Sequence, residues 1–294
     1  MTTGCLACES GSARAGGRMN GAHVDELAGK VAFITGSGGG IGLGIARACA
    51  QAGMKVVLAD IDESALEDAA AELRAAGSEV LVLALDVTDR EGWALAAERV
   101  PAELGPVRLL VNNAGVSTLG LGFDEVDPGM WDRVIGINLT GVYNGLHYFL
   151  DGMRAAGGGH IVNTSSMGGL LGSPKLAPYC AAKFAVVGLS EALRAEFAEF
   201  GIGVSVLCPG GVRSRLWRTS RAVRGLPDIE TPPDDMSAQS ATAAMGADEV
   251  GRRVLDAVVA DEAYIITHPE FRDVVTQRHE RMLQGFDRAA AFVG

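Results

Sequence analysis

The chain has 294 residues, 48% of them hydrophobic, enough for one large domain with a substantial core. Its formal net charge of −11, from 25 basic and 36 acidic residues, weighs against a nucleic-acid surface, which needs concentrated positive charge. Five cysteines, an odd number, argue against a disulfide framework and for a reducing, cytoplasmic compartment, and no apolar run reaches membrane-spanning length.

Residues 1–28 are rich in Gly, Ala and Ser, with Leu6, Val24 and Leu27 as their larger aliphatics, and read as a disordered arm. Cys5 and Cys8 form a lone CxxC with no second pair of ligands, so no metal site is expected. Met19 stands as an alternative translation start. From residue 30 the chain alternates short apolar strands with helices. Strands are expected at 30–35, 55–59, 80–85 and 107–111, and helices at 41–52, 63–75 and 89–103. This rhythm implies a buried parallel sheet. A long helix is expected over 130–154, a strand at 160–164, a second long helix over 178–200 and a strand at 204–207. Residues 212–245 break the pattern with three prolines, and 213–245 are expected to cover a substrate, with Leu216, Trp217 and Met236 on the inner face. A helix at 247–260, a strand at 264–266 and a charged helix from Glu270 follow, the last with Phe271, Val275, Met282 and Phe286 as anchors. No internal boundary or repeat divides the α/β domain.

The loop TGSGGGIG joins the first strand to the first helix, the context in which a glycine cluster binds phosphate. Gly36 permits a tight turn, and Gly40 and Gly42 let backbone approach a pyrophosphate at a helix N-terminus. The loop contains no lysine, so it is not an ATP-type P-loop, and its backbone and the Ser37 hydroxyl would hold the phosphates. Asp60 closes the second strand, 24 residues after Gly36. A carboxylate there accepts hydrogen bonds from both ribose hydroxyls and repels a 2′-phosphate. With no basic residue between Thr35 and Gly44, NAD is favoured over NADP. The alternative for Asp60 is a turn or cap, a role better suited to Asp62. Asp86, in LDVTD, is placed to contact an adenine edge or to support a cap at Asp89. Asn112 either stitches strands together or lines the groove, whereas Asn113 leans toward the cofactor.

Tyr179 and Lys183 stand four positions apart at the start of a helix and share one face. An adjacent ammonium is expected to lower the phenol from its usual ~10 toward the range of an acid–base catalyst. Ser166, just beyond the fifth strand in NTSS, offers a hydroxyl to a substrate oxygen, and Ser165 is structural. Asn138 interrupts a helix it does not favour, either kinking it around a water or pairing with backbone. Behind a dinucleotide loop this set points to hydride transfer at an alcohol carbon.

TGSGGGIG, NNAG, the Asn of INLTG, a Ser–Tyr spacing of thirteen, YCAAK and PGGV occur in one order over 27–266. In these motifs the chain resembles the classical short-chain dehydrogenase/reductases. The resemblance implies a single-domain Rossmann fold with a seven-stranded parallel sheet flanked by helices on both faces, in a homotetramer or homodimer. It implies the catalytic tetrad Asn138, Ser166, Tyr179 and Lys183. Tyr179 would transfer the proton, Ser166 orient the substrate oxygen, Lys183 hold the nicotinamide ribose and Asn138 anchor a water. The implied cofactor is NAD, held by Gly36, Ser37, Gly40, Ile41, Gly42, Asp60, Asp86, Val87, Asn113, Ala114 and Gly115, with Tyr179, Lys183, Pro209, Gly210, Val212 and Ser214 at the nicotinamide end. The tail YIITHPEFRDVV is similar to a subgroup that includes bacterial dehydrogenases of benzylic alcohols in aryl ethers, which implies a bulky, aromatic secondary alcohol or ketone as substrate. Two other classes fit the groove: a dinucleotide-binding regulator without turnover, and a lyase or epimerase with tightly held NAD.

Overall fold

The computed structural model describes residues 27–118, 120–214, 216–227 and 245–293. The N-terminal arm, Cys5, Cys8, Met19 and Met236 lie outside the described residues. The strands are β1 Val31–Thr35, β2 Lys55–Asp60, β3 Val80–Ala84, β4 Val107–Asn112, β5 Gly159–Thr164, β6 Ile202–Cys208 and β7 Tyr264–Ile266. They form one seven-stranded sheet in the order β3-β2-β1-β4-β5-β6-β7, every pair parallel. All five residues of β1 are buried, because helices cover both sheet faces and leave no solvent side to favour alternation. The chain reverses direction across the sheet between β1 and β4, and the loops there diverge into a crevice.

The helices are α1 Gly40–Gln51, α2 Glu63–Ala75, α3 Arg90–Glu103, α4 Pro128–Ile135, α5 Gly141–Ala155, α6 Ala177–Phe197, α7 Leu216–Val223, α8 Ala247–Val259 and α9 Arg272–Val293. Asp62 caps α2 by accepting from Ala65 N–H at 3.1 Å, and Asp89 caps α3 by accepting from Glu91 N–H at 3.0 Å. On one sheet face Phe33 packs against Phe149 and Trp93, with ring centroids 4.7 and 5.6 Å away. On the other, α1 and α8 cross so closely that a Cβ on Gly44 would sit 2.1 Å from the Ala247 carbonyl oxygen. A Cβ on Gly251 would meet the Gly44 carbonyl at the same distance. Among the described residues no helix is long and apolar enough to cross a membrane.

The structure departs from the sequence expectation in three places. The helix expected over 130–154 is two helices, α4 and α5, joined by a π-helical turn at Gly136–Thr140. Asn138 in that turn spends its side chain on backbone groups, which holds the irregularity in place. The broken stretch after residue 212 contains a regular helix, α7. The charged C-terminal helix is not anchored as expected: Phe271 packs on the core, but Met282 is 48% and Phe286 69% exposed.

The contact between α1 and α8 leaves no room for a methyl group. Gly44→Ala is expected to cost about 1–3 kcal/mol of stability, seen as a lower urea midpoint at unchanged m. An unchanged midpoint would show that the two helices separate without penalty.

Candidate active site

A cleft of about 1490 Å³ runs along the carboxyl ends of β1 to β6. At its centre Gly36, Gly39, Gly40 and Ile41 form the wall where β1 turns into α1. Gly36 (φ +65°) lies so close to the next strand that a Cβ would sit 2.9 Å from Ala114 Cα. Gly39 caps α1 without a side chain, so the first N–H groups of the helix face the cleft unscreened. Ser37 and Gly42 do not line the cleft, although both were expected at the cofactor. Ser37 is buried and turned toward β2, where its Oγ accepts from Ala59 N–H at 2.9 Å. A Cβ on Gly42 would lie 2.2 Å from the Gly36 carbonyl, so this glycine serves the compactness of the loop.

Thr35, which sequence reasoning passed over, pins this crevice. Its buried Oγ1 accepts from the N–H of Asn113 at 2.8 Å and of Ala114 at 3.0 Å, and donates to the Val111 carbonyl at 3.4 Å. The Asn113 amide returns a hydrogen bond to the Thr35 carbonyl at 2.9 Å. Asn112 takes the stitching role: its Nδ2 donates to Asn163 Oδ1 at 2.9 Å, joining β4 to β5.

Toward β2 and β3 the wall carries Asp60, Asp62, Asp86 and Val87. The Asp60 carboxylate accepts from Gly38 N–H at 2.9 Å and from Asp62 N–H at 3.1 Å, which fixes a negative charge at the strand end. Asp86 Oδ1 accepts from both the N–H and the hydroxyl of Thr88 at 2.8 Å. Arg47 also reaches this end from outside the Thr35–Gly44 loop. Its guanidinium is bound to Glu72 at 2.6 Å and Asp248 at 2.9 Å.

At the other end β5, α6 and β6 bring together Ser166, Tyr179, Lys183, Pro209, Gly210, Val212 and Ser214, all on the cleft wall. Ser166 caps a short turn, accepting from Gly168 N–H at 3.0 Å, and its hydroxyl hydrogen bonds the Tyr179 phenol. Lys183 is buried; its Nζ donates to the Thr164 carbonyl at 2.9 Å and lies 5.7 Å from the Tyr179 ring centre. A Cβ on Gly115 would stand 2.7 Å from Asn138 Oδ1 and 3.4 Å from Lys183 Nζ, so the bare backbone lets these groups converge. Asn138 is fully buried. It donates to the carbonyls of Val116 and Val134, both at 2.9 Å, and accepts from Val116 N–H at 3.2 Å. Both amide protons are thus used by backbone.

The electrostatics correct one expectation. Removal from water pushes the Tyr179 phenol above its ordinary value, and the hydrogen bond from Ser166 offsets only part of that. Burial also lowers Lys183 to about 8, with Cys208 opposing. Lys183 is not among the groups that shift the phenol; its ammonium is engaged with the Thr164 carbonyl.

His268 props the loop after β6. Its Nδ1 accepts from Gly210 N–H at 3.1 Å and from the Thr267 hydroxyl at 2.6 Å, so Nε2 carries the proton and donates to the Gly211 carbonyl at 3.0 Å. The only sequence signal for this role was a histidine directly beyond the last strand of a parallel sheet. Helix α7 roofs the same end with Leu216, Trp217, Thr219 and Ala222, bolted down where Ser117 N–H donates to Ser220 Oγ at 2.7 Å. No group of three His, Cys, Asp or Glu able to hold a metal occurs among the described residues.

A family model described as short chain dehydrogenase matches residues 30–224. The C alpha-dehydrogenase of Sphingobium sp. is 36% identical over 261 residues, 86% of this chain and 85% of that protein. A short chain dehydrogenase/reductase from Burkholderia phymatum, solved in complex with NAD, is 36% identical with a TM-score of 0.82, covering 88% of this chain and 96% of that one. A metagenomic short-chain oxidoreductase in complex with NADP is 31% identical with a TM-score of 0.66, covering 82% and 96%. Matched from its first strand into the helix that roofs the cleft, the chain belongs to the classical short-chain dehydrogenase/reductase family and is an NAD(P)-dependent oxidoreductase.

Proposed function

We propose that the protein is an NAD-preferring dehydrogenase that interconverts a bulky, aromatic secondary alcohol and its ketone. The observation that carries this reading is the convergence of Ser166, Tyr179 and Lys183 at the end of the cleft opposite Asp60. The residues fit a dinucleotide: a helix N-terminus free of side-chain capping, a glycine turn at Gly36 packed against Ala114 with no room for a side chain, and a fixed carboxylate at the end of β2. When bound, the nicotinamide supplies the hydride acceptor or donor. Ser166 donates a hydrogen bond to the substrate oxygen. Tyr179, as phenolate, takes the hydroxyl proton in oxidation and, as phenol, returns it in reduction. Lys183, tied to Thr164 by one of its donors, keeps two others for the cofactor ribose and lends positive charge to the phenolate. Asn138 positions the backbone around Val116 and Gly115. The loop propped by His268 shapes the nicotinamide end.

The apolar wall formed by Val116, Ile137, Leu176, Leu216 and Trp217 supports a bulky substrate, as does similarity to a C alpha-dehydrogenase. Asp60 supports NAD, and Arg47, held by two carboxylates, is not available to offset a 2′-phosphate. The buried thiols Cys49, Cys180 and Cys208 accord with a reducing cytoplasm. Exposed Trp131 and Tyr143 on α4 and α5 give a surface for a homotetramer or homodimer.

Tyr179→Phe is expected to lower turnover at least ~100-fold by removing the acid–base group. Because burial raises the phenol, oxidation by the parent enzyme should accelerate with rising pH while reduction slows. Steady-state pH profiles in both directions check this, and near-normal turnover by the variant would reject the assignment. The kcat/KM for NAD should exceed that for NADP by about tenfold or more, and Asp60→Ala should narrow the gap; an NADP preference in the parent enzyme would overturn it. Sedimentation velocity should give the mass of two or four chains, and a monomer would contradict the proposed assembly.

A further inference from the structure

Three consecutive residues after β4 each hold a different wall of the substrate end. Val116 exchanges two hydrogen bonds with Asn138: its N–H donates to Asn138 Oδ1 at 3.2 Å, and its carbonyl accepts from Asn138 Nδ2 at 2.9 Å. Ser117 N–H donates to Ser220 Oγ on α7 at 2.7 Å. The buried Thr118 hydroxyl donates at 3.3 Å to the carbonyl of Lys175, two residues before α6 begins. Gly115, directly before them, abuts the reacting groups, since a Cβ there would lie 3.4 Å from Lys183 Nζ. The π turn, the roof helix and the entry to α6 are thus referred to one short segment that reaches the reacting centre.

Ser220 carries the roof's share of this arrangement. It is fully buried, whereas Leu216 and Trp217 of the same helix line the cleft. Its single hydroxyl hydrogen goes to the Leu216 carbonyl one turn earlier, so its oxygen meets Ser117 N–H as an acceptor. On helix propensity alone, alanine would suit the eight residues of α7 better than serine. The hydroxyl therefore answers a tertiary need. It gives the buried Ser117 N–H its partner, and it fixes the height at which Leu216 and Trp217 stand above the cleft.

We propose that Ser220 determines specificity as a positioning residue: it registers the roof helix on the loop after β4, and so sets how large an aryl ketone or alcohol is held against Ser166 and Tyr179. This rests on the dehydrogenase reading above and names how that site selects by size. A large aryl group reaches Leu216 and Trp217, so its affinity depends on where the roof stands. A compact ketone is held at the Ser166 end and does not depend on it. The glycine turn and Asp60 lie at the opposite end of the cleft, so cofactor binding depends on it little.

The parent enzyme, Ser220→Ala and Ser220→Thr, which keeps the hydroxyl, are compared in NADH-dependent reduction of acetophenone and of 2-acetylnaphthalene. Calorimetry with saturating NAD, which cannot reduce a ketone, gives the affinities directly. Ser220→Ala is expected to raise KM and Kd for 2-acetylnaphthalene about tenfold, while KM for acetophenone and for NADH shifts less than about twofold. Ser220→Thr should restore the parent values. Trp217→Ala, which leaves the Ser117–Ser220 bond intact, should by itself reproduce the size-selective rise, and adding Ser220→Ala to it should change KM less than about twofold further. Thermal melting shows which variants are folded. In folded variants, an unchanged KM for 2-acetylnaphthalene, equal rises for all three ligands, no recovery in Ser220→Thr, or additive effects of Trp217→Ala and Ser220→Ala would overturn the proposal, as would a parent protein that neither binds nor reduces either ketone. Binding of 2-acetylnaphthalene that weakens in Ser220→Ala, without turnover in the parent, would instead count against the dehydrogenase reading and leave the selective roof supported.

Discussion

A single buried hydroxyl sets the geometry on which the cleft depends. Where the sheet reverses its winding, β1 and β4 must stay paired while their following loops part. Thr35 Oγ1 meets both demands, accepting from Asn113 and Ala114 N–H while it donates to Val111. Both N–H groups stand at the half-buried edge of the cleft, and Thr35 gives each a fixed partner. The turn at Gly36 can then approach Ala114 so closely that no side chain intervenes. The glycine turn after β1 and the loop after β4 are therefore held in register by one residue at their junction, inside one continuous cleft.

Along that site the protein uses burial and fixed dipoles more than free charge. Asp60 is oriented by two backbone N–H groups and Asp86 by both donors of Thr88. Lys183 is tied to a strand-end carbonyl. Such groups need little rearrangement when a ligand arrives, which is the essence of electrostatic preorganisation. The cost is visible at the reacting pair. Burial disfavours both the phenolate of Tyr179 and the ammonium of Lys183.

Much of this was legible in the sequence for a physical reason. Strands covered on both faces must be continuously apolar, and their polar terminations at Asp60, Asn112 and Ser166 marked one edge of the sheet. Spacing alone placed Tyr179 and Lys183 on one helix face. It carried no information on what Lys183 Nζ touches, since Thr164 lies on a strand brought near only by folding, and the direction of the phenol's shift was misjudged accordingly. The π turn around Asn138 was hidden because its cause, the backbone at Val116, is remote in sequence. Helix α7 escaped notice because it is short and turns apolar residues toward a cleft rather than a core. The C-terminal helix erred the other way: a helical stripe of large apolar residues suggested anchoring, yet Met282 and Phe286 remain exposed.

His268 binds the fate of the groove to a late part of the chain. Its two ring nitrogens brace the glycine pair that follows β6, so this wall acquires its final shape only after a residue nearly sixty positions downstream has been made and docked. During synthesis the half of the sheet built from β1 to β3 emerges before α6, the helix that carries Tyr179 and Lys183 to the cleft. Competence for hydride chemistry is thereby deferred until the sheet has gained its last strand.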